Sequence, residues 1–253
     1  MNGPRFIILG FPRCGSTSAN THLSQHPNVE VLSQLNFFNF DEDDKRWNIK
    51  GYNSGIDEYK KYFIPGGSDS VRNLPKNNKK TIIGERTVGY ITNEIALSRI
   101  HLHYPNIKLI IFIREPISRA YSQYNQFCLN KQISNIDFYT WVINENSSED
   151  ISKYDIWLKN IFNLFPRENI YIAIAEQVLK NPLEEYNKIF TFIQAEKLKK
   201  INFDNTINKK SYKEPISNET FKKLYSYYKK HIEETYKLIG FRVPEWENKY
   251  KNI

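Results

Sequence analysis

Short apolar runs alternate with stretches of helical spacing along this 253-residue chain, and that alternation sets the expected elements. Phe6-Ile7-Ile8-Leu9 is continuous, apolar and partly β-branched, as a fully buried strand requires, and it runs into Gly10-Phe11-Pro12-Arg13-Cys14-Gly15. A glycine turn at that place predicts a strand feeding a helix, here Ser16 to Gln25, which His26-Pro27 closes. Val29 to Leu32 and Thr81 to Gly84 predict further short strands. Lys108 to Ile113, the most hydrophobic run, predicts a strand in a central parallel position. Helices are expected over Glu94 to His103, from about Pro116, over Tyr154 to Phe165 and over Pro182 to Ile193, with a strand at Ile170 to Ile174. A last amphipathic helix, Thr220 to Leu238, ends at Gly240, where a C-terminal glycine belongs. The order predicts one α/β domain over residues 1–253, three layers deep around a mostly parallel central sheet. The polar stretches 39–80 and 125–152 are expected as loop-rich insertions, with a helical fragment at Asp57 to Phe63.

Composition narrows the class. Hydrophobic residues at 40% and charged residues at 25% exclude wholesale disorder, coiled coil and collagen. The longest purely apolar run, Leu109 to Ile113, is far short of the ~20 residues a membrane helix needs, and the first residues carry too few apolar positions for a signal peptide. The expectation is a cytoplasmic protein without a membrane partner. Thirty-six Lys plus Arg against 28 Asp plus Glu gives a formal charge of +8, which favours anionic partners without choosing among nucleic acid, membrane surface, acidic glycan and nucleotide. Cys14 and Cys128 are the only cysteines, which fits a reducing compartment and leaves no thiolate metal site.

Candidate chemistry concentrates in two segments. Gly10-Phe11-Pro12-Arg13-Cys14-Gly15-Ser16-Thr17 has both glycines and the terminal hydroxyl of a Walker A loop, in a strand-loop-helix context, so the domain is P-loop-like. The lysine is missing: Ser16 stands in its place and the cation has moved to Arg13. Backbone N–H groups at the helix start can still cradle a phosphate, while the lysine contact to β- and γ-phosphates is absent, which points to a different donor. A thiolate at such a helix start would have a lowered pKa, although packing is the expected role of Cys14. In Ile113-Arg114-Glu115-Pro116-Ile117-Ser118-Arg119-Ala120-Tyr121-Ser122, a cation follows a central strand and a hydroxyl sits in the next helix, where open α/β sheets bind ligands. Arg114 can fork onto a second phosphate while Ser122 donates to it.

These two segments resemble the 5′-phosphosulfate loop and the 3′-phosphate motif of sulfotransferases that use 3′-phosphoadenosine 5′-phosphosulfate (PAPS). The resemblance is closest to the Golgi-type carbohydrate (heparan sulfate) and tyrosylprotein branches. Leu23-Ser24-Gln25-His26-Pro27, Asn36-Phe37-Phe38, Gly84-Glu85-Arg86-Thr87-Val88-Gly89-Tyr90, Ser152-Lys153-Tyr154, Phe165-Pro166, Asn181-Pro182 and Gly240-Phe241-Arg242-Val243-Pro244-Glu245-Trp246 all fall in that family's order. The resemblance implies that Arg13 contacts the 5′-phosphate and the leaving oxygen, with Cys14, Gly15, Ser16, Thr17 and Ser18 supplying the donors around it. It implies that Arg114 and Ser122 hold the 3′-phosphate, and that Arg86 stands where the family places a Lys near the sulfuryl group. Lys209 and Lys210 match a late loop that covers the cofactor. The implied product is adenosine 3′,5′-bisphosphate, no metal is required, and the acceptor is a hydroxyl, with a carbohydrate first and a tyrosine or small alcohol open. The insertions 39–80 and 125–152 fall on the acceptor side; nucleic acid is not an expected partner.

One departure stands out. The family carries a catalytic Glu just before its Phe-Phe pair, and this chain reads Ser33-Gln34-Leu35-Asn36-Phe37-Phe38. Gln34 and Asn36 are therefore expected at the acceptor, but a primary amide is no general base near neutral pH. Three explanations stay open: another base, with Glu30, Asp41, Glu85 and His22 nearest in sequence and Glu85 the one expected; an acceptor needing little base assistance; or a protein that binds PAPS and catalyses poorly. The rival readings are a P-loop kinase, against which the missing lysine speaks, and a nucleotide- or glycan-binding module on a degenerate fold.

Overall fold

The structure is a computed structural model that describes residues 3–44, 50–64, 82–133, 135–145, 150–204 and 215–251. In chain order its elements are β1 (Phe6–Gly10), α1 (Ser16–Leu23), β2 (Val29–Ser33), α2 (Ile56–Lys61), β3 (Ile82–Arg86), α3 (Glu94–His103), β4 (Lys108–Ile113) and α4 (Pro116–Leu129). There follow α5 (Phe138–Thr140), α6 (Tyr154–Leu164), β5 (Ile170–Ile174), α7 (Ala175–Lys180), α8 (Pro182–Phe192), α9 (Asn218–Ile239) and α10 (Pro244–Tyr250).

Among the described residues the strands form one five-stranded sheet in the order β2-β3-β1-β4-β5. Every neighbouring pair is parallel, where a mostly parallel sheet was expected. Burial explains the position of the most apolar strands: β1 is closed off from solvent along its whole length and β4 along all but Lys108, so neither tolerates a polar face. β1 takes the centre, and β4 lies between it and β5. The chain leaves β1 toward β2 and leaves β4 toward β5, so the crevice at the carboxyl ends of β1 and β4 is the place where an open α/β sheet receives a ligand.

Local chemistry sets most boundaries. The side chain of Asn93 accepts the Ala96 N–H at 3.0 Å and starts α3, Ser217 Oγ does the same for Thr220 N–H at 3.1 Å in α9, and Gly240 closes α9 at φ +87°. β3 runs past Gly84 to Arg86, beyond the end expected for it. Gly84 is a strand residue because Phe6, its register partner on β1, lays its ring over it, and a Cβ there would come within 2.3–2.5 Å of the ring carbons. Gly84→Ala is expected to lower the unfolding free energy by about 1–3 kcal/mol. Urea denaturation checks this, and an unchanged midpoint would mean that Phe6 swings aside freely. α7 and α10 are too short for their periodicity to register in the sequence. The stretch 125–152 is more helical than expected, holding the end of α4, α5 and a π turn at Trp141–Glu145.

Candidate functional site

The loop after β1 is stitched to the next strand: Phe11 N–H donates to the Phe112 carbonyl at 2.8 Å. Arg13 then takes φ +70° and Gly15 φ +93°, which turns the chain sharply into α1. No side chain caps α1 and its first turn holds no acidic residue, so the N–H groups of a helix start are left for an anion. Of the hydroxyl residues there, Thr17 is exposed, Ser18 half-buried and Ser16 buried. Cys14 is fully buried, and burial pushes its thiol up to about 11, which corrects the lowered value its helix-terminal position suggested.

Arg114 follows directly on β4, and its backbone is held on both sides by one phenol. Tyr154 OH donates to the Arg114 carbonyl at 2.8 Å and accepts the Arg114 N–H at 3.3 Å. The same hydroxyl lies 3.5 Å from Cys14 Sγ, and the ring packs 4.7 Å from that of Phe11. Glu115 caps α4, accepting the N–H groups of Ile117 and Ser118 at 2.9 and 2.8 Å. Its own N–H donates to Glu176 Oε1 at 2.9 Å, and Glu176 Oε2 accepts the Trp246 indole N–H of α10 at 3.0 Å. Across the crevice Arg13 Nε donates to Ser122 Oγ at 3.1 Å, so the two segments that chemistry singled out meet through their side chains. Tyr154 and Trp246 carry no role in the sequence reading and Glu176 is absent from it, because its place as a half-buried acceptor for two donors exists only in the tertiary structure.

The ends of β2 and β3 complete the edge. Arg86 is 6% exposed; its Nη2 donates to Ser33 Oγ at 2.7 Å, while its buried Nε has no hydrogen-bond partner among the described residues. Burial lowers its pKa from the ordinary guanidinium value. Gln34 is exposed at φ +58° and Asn36 half-buried at φ +53°, and Asn36 Nδ2 donates to the Gln34 carbonyl at 3.2 Å. Left-handed non-glycine backbone at Arg13, Gln34 and Asn36 is thus gathered on the two loops that border this edge.

Glu85 does not present a base to this edge. It is 0% exposed; Oε1 accepts Thr87 Oγ1 at 2.6 Å and Tyr90 OH at 2.8 Å, and Oε2 accepts Tyr59 OH. Burial raises its pKa above the usual carboxylate range, against which the three hydroxyls pull it down. A carboxylate so enclosed offers no oxygen to an incoming acceptor, which corrects the expectation that it takes the proton. Asp41 pairs with Arg99, Glu30 is buried in β2, and both ring nitrogens of His22 are engaged, by Tyr186 OH at 3.2 Å and by the Asp204 N–H at 3.1 Å. Lys209 and Lys210 lie outside the described residues. Among the described residues no group of three or more His, Cys, Asp or Glu is arranged to hold a metal ion.

Relatives carry the same chemistry in their names. The chain is 28% identical over 202 residues to human heparan sulfate glucosamine 3-O-sulfotransferase 5, covering 75% of this chain and 53% of that protein. It is 31% identical over 122 residues to the membrane-associated sulfotransferase kil1 of Dictyostelium discoideum, covering 48% of this chain and 22% of that protein. A crystal structure of a sulfotransferase from Alicyclobacillus acidocaldarius superposes with a TM-score of 0.72 at 20% identity, covering 98% of this chain and 100% of the other, a likeness of fold. The expectation of a cytoplasmic location does not stand. One relative is membrane-associated by name, and the chain spans about half or less of the length of these two curated relatives, so its first residues say nothing of what precedes them. No helix among the described residues is long and apolar enough to cross a membrane. The model of the family described as sulfotransferase matches residues 4–199, a span holding both candidate segments and every strand of the sheet, and the chain belongs to the sulfotransferase family.

Proposed function

We propose that the protein transfers a sulfuryl group from PAPS to a hydroxyl of a heparan-type glycan. The observation that carries this reading is the Arg13–Ser122 contact of 3.1 Å, which joins a 5′-side loop to a 3′-side motif across one crevice. The residues fit the donor: the uncapped start of α1, the half-buried Arg13 and the unpartnered buried Nε of Arg86 are three sources of positive charge without a carboxylate partner among the described residues. When bound, the donor supplies an activated sulfuryl group on a phosphate leaving group.

Sulfuryl transfer, like phosphoryl transfer, is expected to be in-line and loose, so that positioning and charge neutralisation dominate. The amides of Gly15 to Ser18 and the guanidinium of Arg13 hold the 5′-phosphate and stabilise the charge that develops on the leaving oxygen. Arg114 and Ser122 hold the 3′-phosphate, with Arg114 kept in place by Tyr154. Arg86 orients the transferring group from the end of β3. Gln34 and Asn36 stand on the acceptor side, where Gln34 Oε1 can accept a hydrogen bond from the attacking hydroxyl but not its proton. In a loose transition state that hydroxyl carries little positive charge, so its proton can be lost late, to solvent.

The test is release of adenosine 3′,5′-bisphosphate from PAPS with heparan sulfate present, in wild type and in Arg114→Ala. Wild type should turn over without ATP, and the variant should bind adenosine 3′,5′-bisphosphate about 10- to 100-fold more weakly while its affinity for adenosine 5′-phosphate stays unchanged. Equal discrimination in both proteins would remove Arg114 from the site, and nucleotide binding without release would favour a binding module over an enzyme.

A further inference from the structure

The parallel ladder between β2 and β3 does not stop where the strands stop. Ser33 pairs with Arg86, and one residue on, the Gln34 N–H donates to the Arg86 carbonyl at 2.8 Å. Beyond that, side-chain hydroxyls take the place of carbonyls: the Asn36 N–H donates to Thr87 Oγ1 at 3.4 Å and the Phe38 N–H to Tyr90 OH at 3.4 Å. The amides of alternate residues 34, 36 and 38 are held in turn from the β3 side, on the segment whose backbone is left-handed at Gln34 and Asn36.

Both hydroxyls are aimed by one group. Thr87 Oγ1 and Tyr90 OH each donate their single hydrogen to Glu85 Oε1, at 2.6 and 2.8 Å. A hydroxyl that has spent its proton on a carboxylate has only lone pairs left, so it can only accept, here from a backbone N–H. The other titratable groups around this carboxylate are Tyr59, which donates to Oε2 from α2, and Tyr104, which feels its charge; no cation is among its partners in the described residues. Thr87 is tied in its turn to the central strand, its N–H donating to the Ile8 carbonyl at 3.2 Å.

The geometry points to Glu85 as the positioning residue of the acceptor-side loop: through the hydroxyls of Thr87 and Tyr90 it holds the amides of Asn36 and Phe38, and so sets where Gln34 and Asn36 stand. The functional half of this inference rests on the proposed transfer reaction; the structural half does not. Glu85→Gln keeps the shape and loses the charge that forces both hydroxyls to donate inward. Thr87→Val and Tyr90→Phe each delete one acceptor with little change of volume, and Thr87→Ser restores it.

Amide hydrogen exchange on the intact protein reads the inference directly. Glu85→Gln should speed exchange at both Asn36 and Phe38, roughly fivefold or more. Thr87→Val should do so at Asn36 alone, Tyr90→Phe at Phe38 alone and Thr87→Ser at neither. Amides of Ile8 and Ile111 in the central strands should be unmoved throughout. With PAPS and heparan sulfate, Glu85→Gln should raise KM for the glycan several-fold and leave the affinity for adenosine 3′,5′-bisphosphate as in wild type. Unchanged exchange at residues 36 and 38, or acceleration spread equally over the central strands, would overturn the assignment; should Glu85→Gln fail to fold, the site-by-site pattern of the Thr87 and Tyr90 variants decides it. Wild type that transfers nothing to heparan sulfate would sink the glycan reading while the exchange pattern still judges Glu85.

Discussion

Replacing Arg13 with alanine is expected to lower turnover by about 100- to 1,000-fold while weakening the binding of adenosine 3′,5′-bisphosphate by roughly tenfold or less. The asymmetry follows from where charge appears. In the proposed reaction the ground-state 5′-phosphate would be served by the amides of α1 as well as by Arg13, whereas the charge that grows on the leaving oxygen needs a cation already in place. Arg13 is prepared for that role by its φ of +70° and by the hydrogen bond from its Nε to Ser122, which leave the guanidinium few conformations to lose. Alanine keeps the Cβ that arginine already holds at this left-handed position, so Arg13→Gly is the control: it relaxes the backbone and still lacks the cation. Both variants should lose turnover alike. If the two lose affinity as much as they lose rate, Arg13 is a binding residue; if only the alanine variant suffers, the loop conformation matters and the charge does not.

A second large effect is expected at Arg119 of α4. This side chain is fully buried, its Nε donates to Ser152 Oγ at 2.7 Å, and its Nη2 lies 4.0 Å from Asp150 Oδ1. Asp150 is equally enclosed, accepting the Ser152 N–H at 2.9 Å and the hydroxyl of Tyr228 from α9. Deleting the guanidinium leaves a carboxylate buried without a cation, which costs about 3–5 kcal/mol. For a chain of this length that is a fall in melting temperature on the order of 10 °C. Arg119→Met fills the space and should lose nearly as much, because the stranded charge rather than the cavity is the problem. Adding Asp150→Asn to Arg119→Met should recover a good part of the loss. A methionine variant as stable as wild type would show that the hydroxyl and amide around Asp150 suffice by themselves.

The parts of the molecule legible in the sequence are those where one local signal decides the outcome. Lys108–Ile113 came out to the residue because a buried parallel strand is written as an unbroken apolar run, and Ile170–Ile174, half-buried at Tyr171 and Ile172, came out from its alternation. Glu94–His103 did so because Asn93 caps it. The meeting of Arg13 with Ser122 and the place of Arg114 just after β4 were legible because loop glycines and strand ends fix where those residues lie. Glu85 was not: beside Arg86 it reads as the candidate base, yet Tyr59, 26 residues away in sequence, donates its hydroxyl to it in a buried setting. Cys14 misled for the same reason, since a helix start favours the thiolate and complete burial opposes it more strongly. Location lay beyond reach because absent signals within a span that matches only part of its relatives carry no weight.

The hold on Arg114 has a temporal side. The loop at Arg13 is made from contiguous residues near the beginning of the chain, whereas the Glu115 amide rests on Glu176, which is in turn engaged by Trp246. That loop nonetheless donates hydrogen bonds to Phe112 and Ser122, so during synthesis it cannot be fixed before α4 has emerged, and the Arg114 side waits further, for α10. Ordering of the crevice is therefore a late event in folding, drawn from residues as far apart as Phe11 and Trp246.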